Sequence, residues 1–170
     1  VPGTSSWNSI IGRLDNAQAN LLDAARAGSA AGVAGYLVTD WGDGGHHQPP
    51  SVSDPAWLYG GAVSWGAAAN ADLDVAAWFD EDVAEDENGT IGGVLARIGV
   101  VHARTGMVAR NLSPLVGALF PHQHPLMSGT PDLDAIREVI TTLDAARDDL
   151  ARSTARADDA TELRAELDVS

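Results

Sequence analysis

Cysteine and lysine are both absent from this chain of 170 residues, and phenylalanine and tyrosine occur only twice each. Without cysteine the chain can form neither disulfide bonds nor thiolate zinc sites. Without lysine it cannot form a Schiff base or the lysine–phosphate contact of a P-loop. The lack of cysteine does not decide the compartment, because many secreted bacterial proteins also lack it. The sequence leaves cytoplasm and secretion equally open.

Positive charge is scarce, with 10 basic residues against 24 acidic ones and a net charge of −14. This charge argues against nucleic acid as a partner, because phosphate binding needs a surplus of cations, and against an anionic membrane surface. No apolar run approaches the roughly 20 residues that cross a bilayer as a helix. The chain begins with Val1 and no charged-then-apolar leader follows, so we expect a processed chain or a fragment.

Several catalytic signatures are missing. The chain has no HExxH, no G-x-S-x-G, no G-x-G-x-x-G and no Walker pattern. Two histidine pairs, His46-His47 and His122-His124, could bind zinc in principle, but neither has the spacing of ligands on one helix face. We expect loop histidines, with no metal and no cofactor.

Apolar spacing predicts a mainly α-helical chain with one or two short strands. We expect a helix over residues 8–31 and a buried strand over residues 32–40, whose short run is rich in Val, Tyr, Leu and Thr. A Gly- and Pro-rich loop follows. Further helices are expected over residues 74–83 and 160–168. Four more helices are expected to begin at the start signals Asp54-Pro55, Thr90, Ser113-Pro114 and Thr130-Pro131. The stripe expected to face the core on the Thr130-Pro131 helix is Leu133, Ile136, Ile140, Leu143 and Leu150.

Aromatic and acidic residues follow the expected strand at its carboxyl end, where ligands bind in α/β sheets and barrels. The group consists of Asp40, Trp41, Asp43, His46, His47 and Gln48. A tryptophan flanked by carboxylates suits a sugar, because the ring stacks on its C–H face while the acids accept hydrogen bonds from hydroxyls. The alternative is a network in which the aspartates anchor the glycine-rich loop. We expect Trp57, Trp65 and Trp78 in the core, since they lie on expected helices.

Two motifs carry a resemblance to a known family. PGTSSWNSIIGR at residues 2–13 and GYLVTDWGDGGHHQPP at residues 35–50 resemble the last part of a bacterial glycoside hydrolase of family 20, the β-N-acetylhexosaminidases. GGAVSWG at residues 60–66 continues the likeness, which covers residues 2–70. The resemblance implies that the motifs belong to the last two βα units of a (β/α)8 barrel.

The resemblance implies retaining hydrolysis of terminal N-acetylhexosamines, with the substrate's own acetamido oxygen as the nucleophile. A neighbouring Asp-Glu pair on a middle strand orients the acetamide and protonates the leaving group in that family. Such neighbours occur here only at Asp80-Glu81, Glu81-Asp82 and around Glu85-Asp86-Glu87, after the last motif. We therefore assign no catalytic residue, and we expect the piece to be inactive alone.

The resemblance also implies a sugar-contacting wall. The late Trp-x-Glu pattern of the family is Trp41-Gly42-Asp43 here, with the ring against the sugar and a shorter acid toward its outer hydroxyls. Trp7 lies where the preceding strand supplies a side chain to the rim, and Asp40 and His46 are further candidates. If the extended conformation continues beyond residue 40, Trp41 and Asp43 share one side of the chain.

The sequence thus predicts two regions. Residues 1–70 form the last βα units of a barrel-like catalytic domain, and residues 71–170 form a helical C-terminal region. The expected ligand is a carbohydrate that contains N-acetylhexosamine, and a half barrel would self-associate through its unpartnered faces. The alternative is a non-catalytic, acidic helical module that mediates protein association.

Overall fold

The computed structural model describes residues 1–122, 127–155, 161 and 165. In chain order its helices are α1 (Leu14–Ala30), α2 (Pro50–Gly66), α3 (Val75–Asp82), α4 (Ile91–Ile98), α5 (Pro114–Leu119) and α6 (Leu133–Leu150). Two three-residue strands, β1 (Met107–Ala109) and β2 (Met127–Gly129), form an antiparallel pair with Val108 opposite Ser128. The expectation of a mainly helical chain with short strands is confirmed. Most of the expected helix at residues 160–168 lies outside the described residues.

The expected buried strand at residues 32–40 is wrong in its extent and in its burial. Within the described residues its only bridge joins Thr39 to Gly3, in parallel. Leu37 is 66% exposed and Val33 is 53% exposed. Residues of high β-propensity favour an extended backbone, but a strand also needs neighbours to complete its hydrogen-bond ladder.

Helix α1 begins at Leu14 rather than near residue 8. The reason lies in the backbone before it, where Ser5, Asn8 and Gly12 have φ angles of 62°, 51° and 88°. Left-handed residues cannot continue a right-handed helix, so the apolar residues Ile10 and Ile11 enter the core from an irregular segment.

Three expected helix starts, at Asp74, Thr90 and Ser113, are confirmed, although the Thr90 side chain makes no cap bond. Asp74 accepts a hydrogen bond from the Ala77 amide, and Ser113 accepts one from Leu115. By contrast, α2 begins at Pro50, so that Pro55 lies inside the helix instead of starting it. Pro50 fits because the first turn of a helix needs no amide donor there, whereas Pro55 cannot donate to the carbonyl four residues before it.

Helix α6 begins after Asp132, not at Thr130-Pro131, because the Asp132 carboxylate accepts bonds from the Asp134 and Ala135 amides. Its buried face agrees with the expected one in part, because Leu150 is buried and Leu143 packs against the core. The buried residues are Val139, Ala146 and Leu150, whereas Leu133 and Ile140 are 64% and 53% exposed.

The core has two clusters. One joins α1 and α2 through Leu21, Tyr59 and Val63. The other packs Ile11 and Val52 against residues of α3, α4 and α6, so the hydrophobic core crosses the expected boundary at residue 70. Whether residues 1–70 and 71–170 are separate domains stays a prediction.

The expectation that three tryptophans lie in the core is wrong. Trp57, Trp65 and Trp78 are 42%, 94% and 43% exposed. On α2 the smaller Val63 and the hydroxyl-bearing Tyr59 face α1 instead. The sequence of α2 is apolar on most sides, so periodicity did not distinguish its inner face from its outer one.

No helix in the described part of the chain is both long enough and apolar enough to cross a membrane.

Candidate functional site

The two motifs that carry the resemblance lie side by side. The Thr4 amide donates to the Thr39 carbonyl at 2.9 Å, and the Thr39 amide donates to the Pro2 carbonyl at 3.0 Å. The chain between these segments contains α1, which packs on α2. Both segments run in the same direction across a parallel bridge between Gly3 and Thr39.

Asp40 follows this pairing and anchors the loop. Its Oδ1 accepts from Thr4 Oγ1 at 3.0 Å and lies within hydrogen-bond distance of Ser6 Oγ. Burial acts to raise the pKa of the Asp40 carboxyl, but the hydrogen bonds outweigh burial and hold the pKa below its usual value; the donors are Ser6, His46, Ser53 and Thr4. An oxygen so well satisfied within the chain supports the loop-anchoring alternative for Asp40.

His46 extends the same network. Its Nε2 lies 3.3 Å from Asp40 Oδ1, and its Nδ1 lies 2.6 Å from the Gln48 carbonyl oxygen. The carboxylate lies between His46 and Ser6, so the three side chains are not ordered as a hydrolase triad, in which histidine bonds the serine.

Trp41 and Asp43 lie on the exposed part of this loop. The Trp41 side chain is 57% exposed, and its backbone carbonyl lies 3.0 Å from Ser6 Oγ. The Gly45 amide donates to the Gly42 carbonyl at 3.0 Å, which closes a turn with Asp43 in it. The extended conformation therefore ends before Asp43, and the shared side expected from two-residue spacing does not follow.

The same turn approaches the other motif. Gly44 has a φ of 74°, and a Cβ built on it would lie 3.1 Å from Asn8 Oδ1. Asn8 is the residue after Trp7, so the Asp43 turn and the Trp7 segment are neighbours. A side chain at Gly44 would be disfavoured both by the positive φ angle and by the short distance to Asn8 Oδ1.

Trp7 is half-buried and is held on several sides. Its Nε1 donates to Asn111 Oδ1 at 2.7 Å. The Arg13 guanidinium carbon lies 5.1 Å from the ring centroid, and a Cβ on Gly3 would come within 2.7 Å of the ring atom Cζ3. Gly3 thus leaves the space that the indole occupies.

Sequence reasoning missed Thr4, Ser6, Arg13 and Asn111. Two-residue spacing in an extended segment could not have identified Thr4 and Ser6, because Ser5 between them has a φ of 62° and interrupts the extended backbone. No local sequence signal pointed to Asn111, since it lies 104 residues from Trp7 along the chain.

Acidic residues also line a cleft with a volume of about 710 Å³. Two of them bond the start of α4. Asp86 Oδ2 accepts from the Ile91 amide at 3.1 Å, and Asp80 Oδ1 accepts from the Gly92 amide at 2.6 Å. These bonds give the two carboxylates a structural role, so neither is assigned as a catalytic acid.

The histidines do not form a metal-binding site within the described residues. No group of three His, Asp or Glu side chains in that part of the chain is arranged to hold a metal ion. His47 instead stacks on Phe120, with ring centroids 5.0 Å apart. His124, a member of the second histidine pair, lies outside the described residues.

Comparisons of the chain with protein-family models, with curated proteins and with solved structures give no match.

Proposed function

We propose that this chain is the C-terminal portion of a glycoside hydrolase resembling family 20. In this proposal it supplies part of the wall that binds a terminal N-acetylhexosamine, and the catalytic acid pair lies elsewhere. Residues 1–70 would be the last βα units of a (β/α)8 barrel, and Trp7, Trp41 and Asp43 would face the sugar.

The observation that carries the proposal is the parallel bridge between Gly3 and Thr39, in which the Thr4 amide donates to the Thr39 carbonyl. It brings the ends of both motifs together, and ligands of parallel α/β folds bind at the carboxyl ends of adjacent strands. A half-buried tryptophan and an exposed one then lie in neighbouring loops. Two indoles beside a carboxylate are suited to a sugar, which presents apolar C–H faces and polar hydroxyls.

The left-handed residues support the same proposal. Ser5 and Asn8, on either side of Trp7, both have positive φ angles. Such conformations cost free energy in residues other than glycine and collect at binding sites, where surrounding contacts enforce them. At Ser5 a buried hydrogen bond helps to hold the left-handed conformation, because Arg13 Nε donates to the Ser5 carbonyl.

The test is binding of methyl β-N-acetylglucosaminide to the 170-residue chain. We expect Trp41→Ala and Asp43→Ala each to weaken the affinity roughly tenfold, since a stacked ring and a hydrogen bond to a charged group each contribute about 1–2 kcal/mol. Trp65→Ala is the control, because Trp65 is 94% exposed on α2. Equal affinities for all three variants and wild type would contradict the proposal, as would lost thermal stability with unchanged binding.

A second candidate is a helical module for protein association. The exposure of Trp57, Trp65 and Trp78 favours it, because surface tryptophans are common at protein interfaces. This candidate predicts no saturable sugar binding and predicts loss of a protein complex in Trp65→Ala. The same control variant therefore separates the two functions.

A further inference from the structure

We infer that Asn111 and Arg13 are positioning residues for Trp7, so that the region after residue 70 orients the ring of the sugar site. The inference rests on the proposed function for its ligand. It goes beyond that function because the resemblance covers residues 2–70 and assigns nothing to the region of Asn111.

The first step is the bond at the edge of the indole. An indole nitrogen can only donate, and Asn111 Oδ1 accepts at 2.7 Å. Rotation of Trp7 about its side-chain torsions would break this bond. One orientation is therefore favoured over the others that a half-buried ring could adopt.

The second step concerns the segment that carries Asn111. The Ser113 amide donates to the Asn8 carbonyl at 2.9 Å, directly beside the Asn111 contact. Asn111 itself has a φ of 60°. The segment of Asn111 is thus hydrogen-bonded to the Trp7-Asn8 backbone. This backbone bond fixes the position of the Asn111 acceptor relative to the Trp7 ring.

The third step concerns the face of the ring. The Arg13 guanidinium carbon lies 5.1 Å from the centroid, and its Nη2 donates to the Trp7 carbonyl at 3.2 Å. Arg13 is 5% exposed, and burial lowers the pKa of its guanidinium to about 10 despite the opposing effect of Asp15, which leaves it charged at neutral pH. A cation on one face confines stacking by a ligand to the other face.

The experiment records the Trp7 indole N–H signal of the ¹⁵N-labelled full chain, assigned by its loss in Trp7→Phe. Asn111→Gly removes the acceptor and relieves the left-handed backbone, whereas Asn111→Asp restores an acceptor oxygen. We expect Asn111→Gly to shift this one indole signal and to speed its exchange with water. In Asn111→Asp the exchange of the Trp7 indole N–H with water should be as slow as in wild type.

The same samples are titrated with methyl β-N-acetylglucosaminide. We expect Asn111→Gly to weaken binding about fivefold, the usual effect of one hydrogen bond, and Asn111→Asp to recover most of it. The effect should vanish in Trp7→Phe, whose ring has no donor. The control is Asn88→Gly, because Asn88 bonds to Arg152 and Thr154 in the same C-terminal region and should change neither readout.

Two outcomes would overturn the inference while leaving the sugar site in place. One is an unchanged Trp7 indole signal in Asn111→Gly. The other is a shifted signal with unchanged affinity, although Trp7→Phe binds more weakly. Absence of saturable binding by the wild-type chain would instead overturn the proposed function, and with it the role of Asn111 toward a sugar.

Discussion

Thr4 and Thr39 are joined by a backbone hydrogen bond of 2.9 Å, although a complete helix separates them in the sequence. The side chain of Thr4 also donates to Asp40, the residue after Thr39. Backbone pairing and side-chain bonding thus fix the same register. This register determines which loops become neighbours, and it brings the Trp7 segment beside the turn that contains Asp43.

We predict no hexosaminidase activity for the chain alone. The acids that could imitate the catalytic pair lie on α3 and in the turn after it, and two of them, Asp80 and Asp86, bond the start of α4. The measurement is release of nitrophenol from a nitrophenyl N-acetyl-β-glucosaminide. Turnover by wild type that disappears in Glu81→Gln would contradict both this prediction and the placement of the catalytic pair outside this chain.

Asp86 and Asp80 should respond oppositely to loss of charge. Asp86 accepts bonds from the Thr90 and Ile91 amides and from the Thr154 hydroxyl. Burial acts to raise its pKa, but these bonds outweigh burial and hold the pKa well below the usual value. Asp86→Asn should therefore lower the free energy of unfolding by about 2 kcal/mol, the scale of bonds to a charged group.

The pKa shift of Asp80 has the opposite direction, because burial raises the pKa of its carboxyl despite the hydrogen bond from the Gly92 amide. Its charge costs stability at neutral pH, so Asp80→Asn should leave the free energy of unfolding unchanged or raise it. Denaturant melts at pH 7 test both variants, with the exposed Asp148→Asn as control. A larger loss in Asp80→Asn than in Asp86→Asn would contradict this assignment.

The pH dependence follows from the same directions. Asp86 and Asp40 have lowered pKa values, so their stabilisation is complete above the unfolded carboxyl pKa of about 4 and is lost as the pH falls through their folded values. Asp80 contributes in the opposite direction, since its folded form binds a proton more tightly. In Asp86→Asn the loss of stability below pH 4 should be smaller than in wild type. An equal acid loss would contradict the role of Asp86.

Adjacent glycines of α4 give a matched pair of substitutions. A Cβ on Gly92 would lie 2.1 Å from the Ala76 carbonyl oxygen, whereas a Cβ on Gly93 would meet nothing within 4 Å. Gly92→Ala should force α3 and α4 apart and cost about 3 kcal/mol or more. Gly93→Ala should raise stability by about 0.5–1 kcal/mol through helix propensity. Thermal melts measure both, and equal effects would show that the two helices do not approach so closely.

Self-association is expected through the exposed part of the segment at residues 32–40. Leu37 is 66% exposed, and among the described residues this segment has one bridge, at Thr39. An incompletely paired segment offers backbone donors and acceptors to a second copy. Leu37→Asp should shift the molar mass from light scattering toward 17.6 kDa. Val108→Asp is the control, since Val108 is equally exposed at 65% but lies in the paired strand β1. A monomeric wild type would contradict this prediction.

Short-range features of the fold were predictable from the sequence. Asp74 and Ser113 start helices because a cap requires only a side chain and an amide two or three residues later. The start of α1 was not predictable in this way. Its delay to Leu14 depends on left-handed backbone at Ser5 and Asn8, and the distant Ser113 donates its amide to the Asn8 carbonyl.

The candidate site was predictable only in part. Trp41 and Asp43 could be identified from their motif, but the turn between Gly42 and Gly45 depends on how the loop packs on Asn8. The partner of Trp7 could not be found from any local pattern, because Asn111 is distant in sequence and reaches the ring only in the folded chain.

The most direct test of the central claim is a titration of the ¹⁵N-labelled chain with methyl β-N-acetylglucosaminide, followed at all five indole N–H signals. The account predicts that the signals of Trp7 and Trp41 shift saturably, while those of Trp57, Trp65 and Trp78 remain fixed as internal controls. No saturable shift, or shifts confined to Trp57, Trp65 and Trp78, would contradict the claim that the two motifs form a sugar-binding wall.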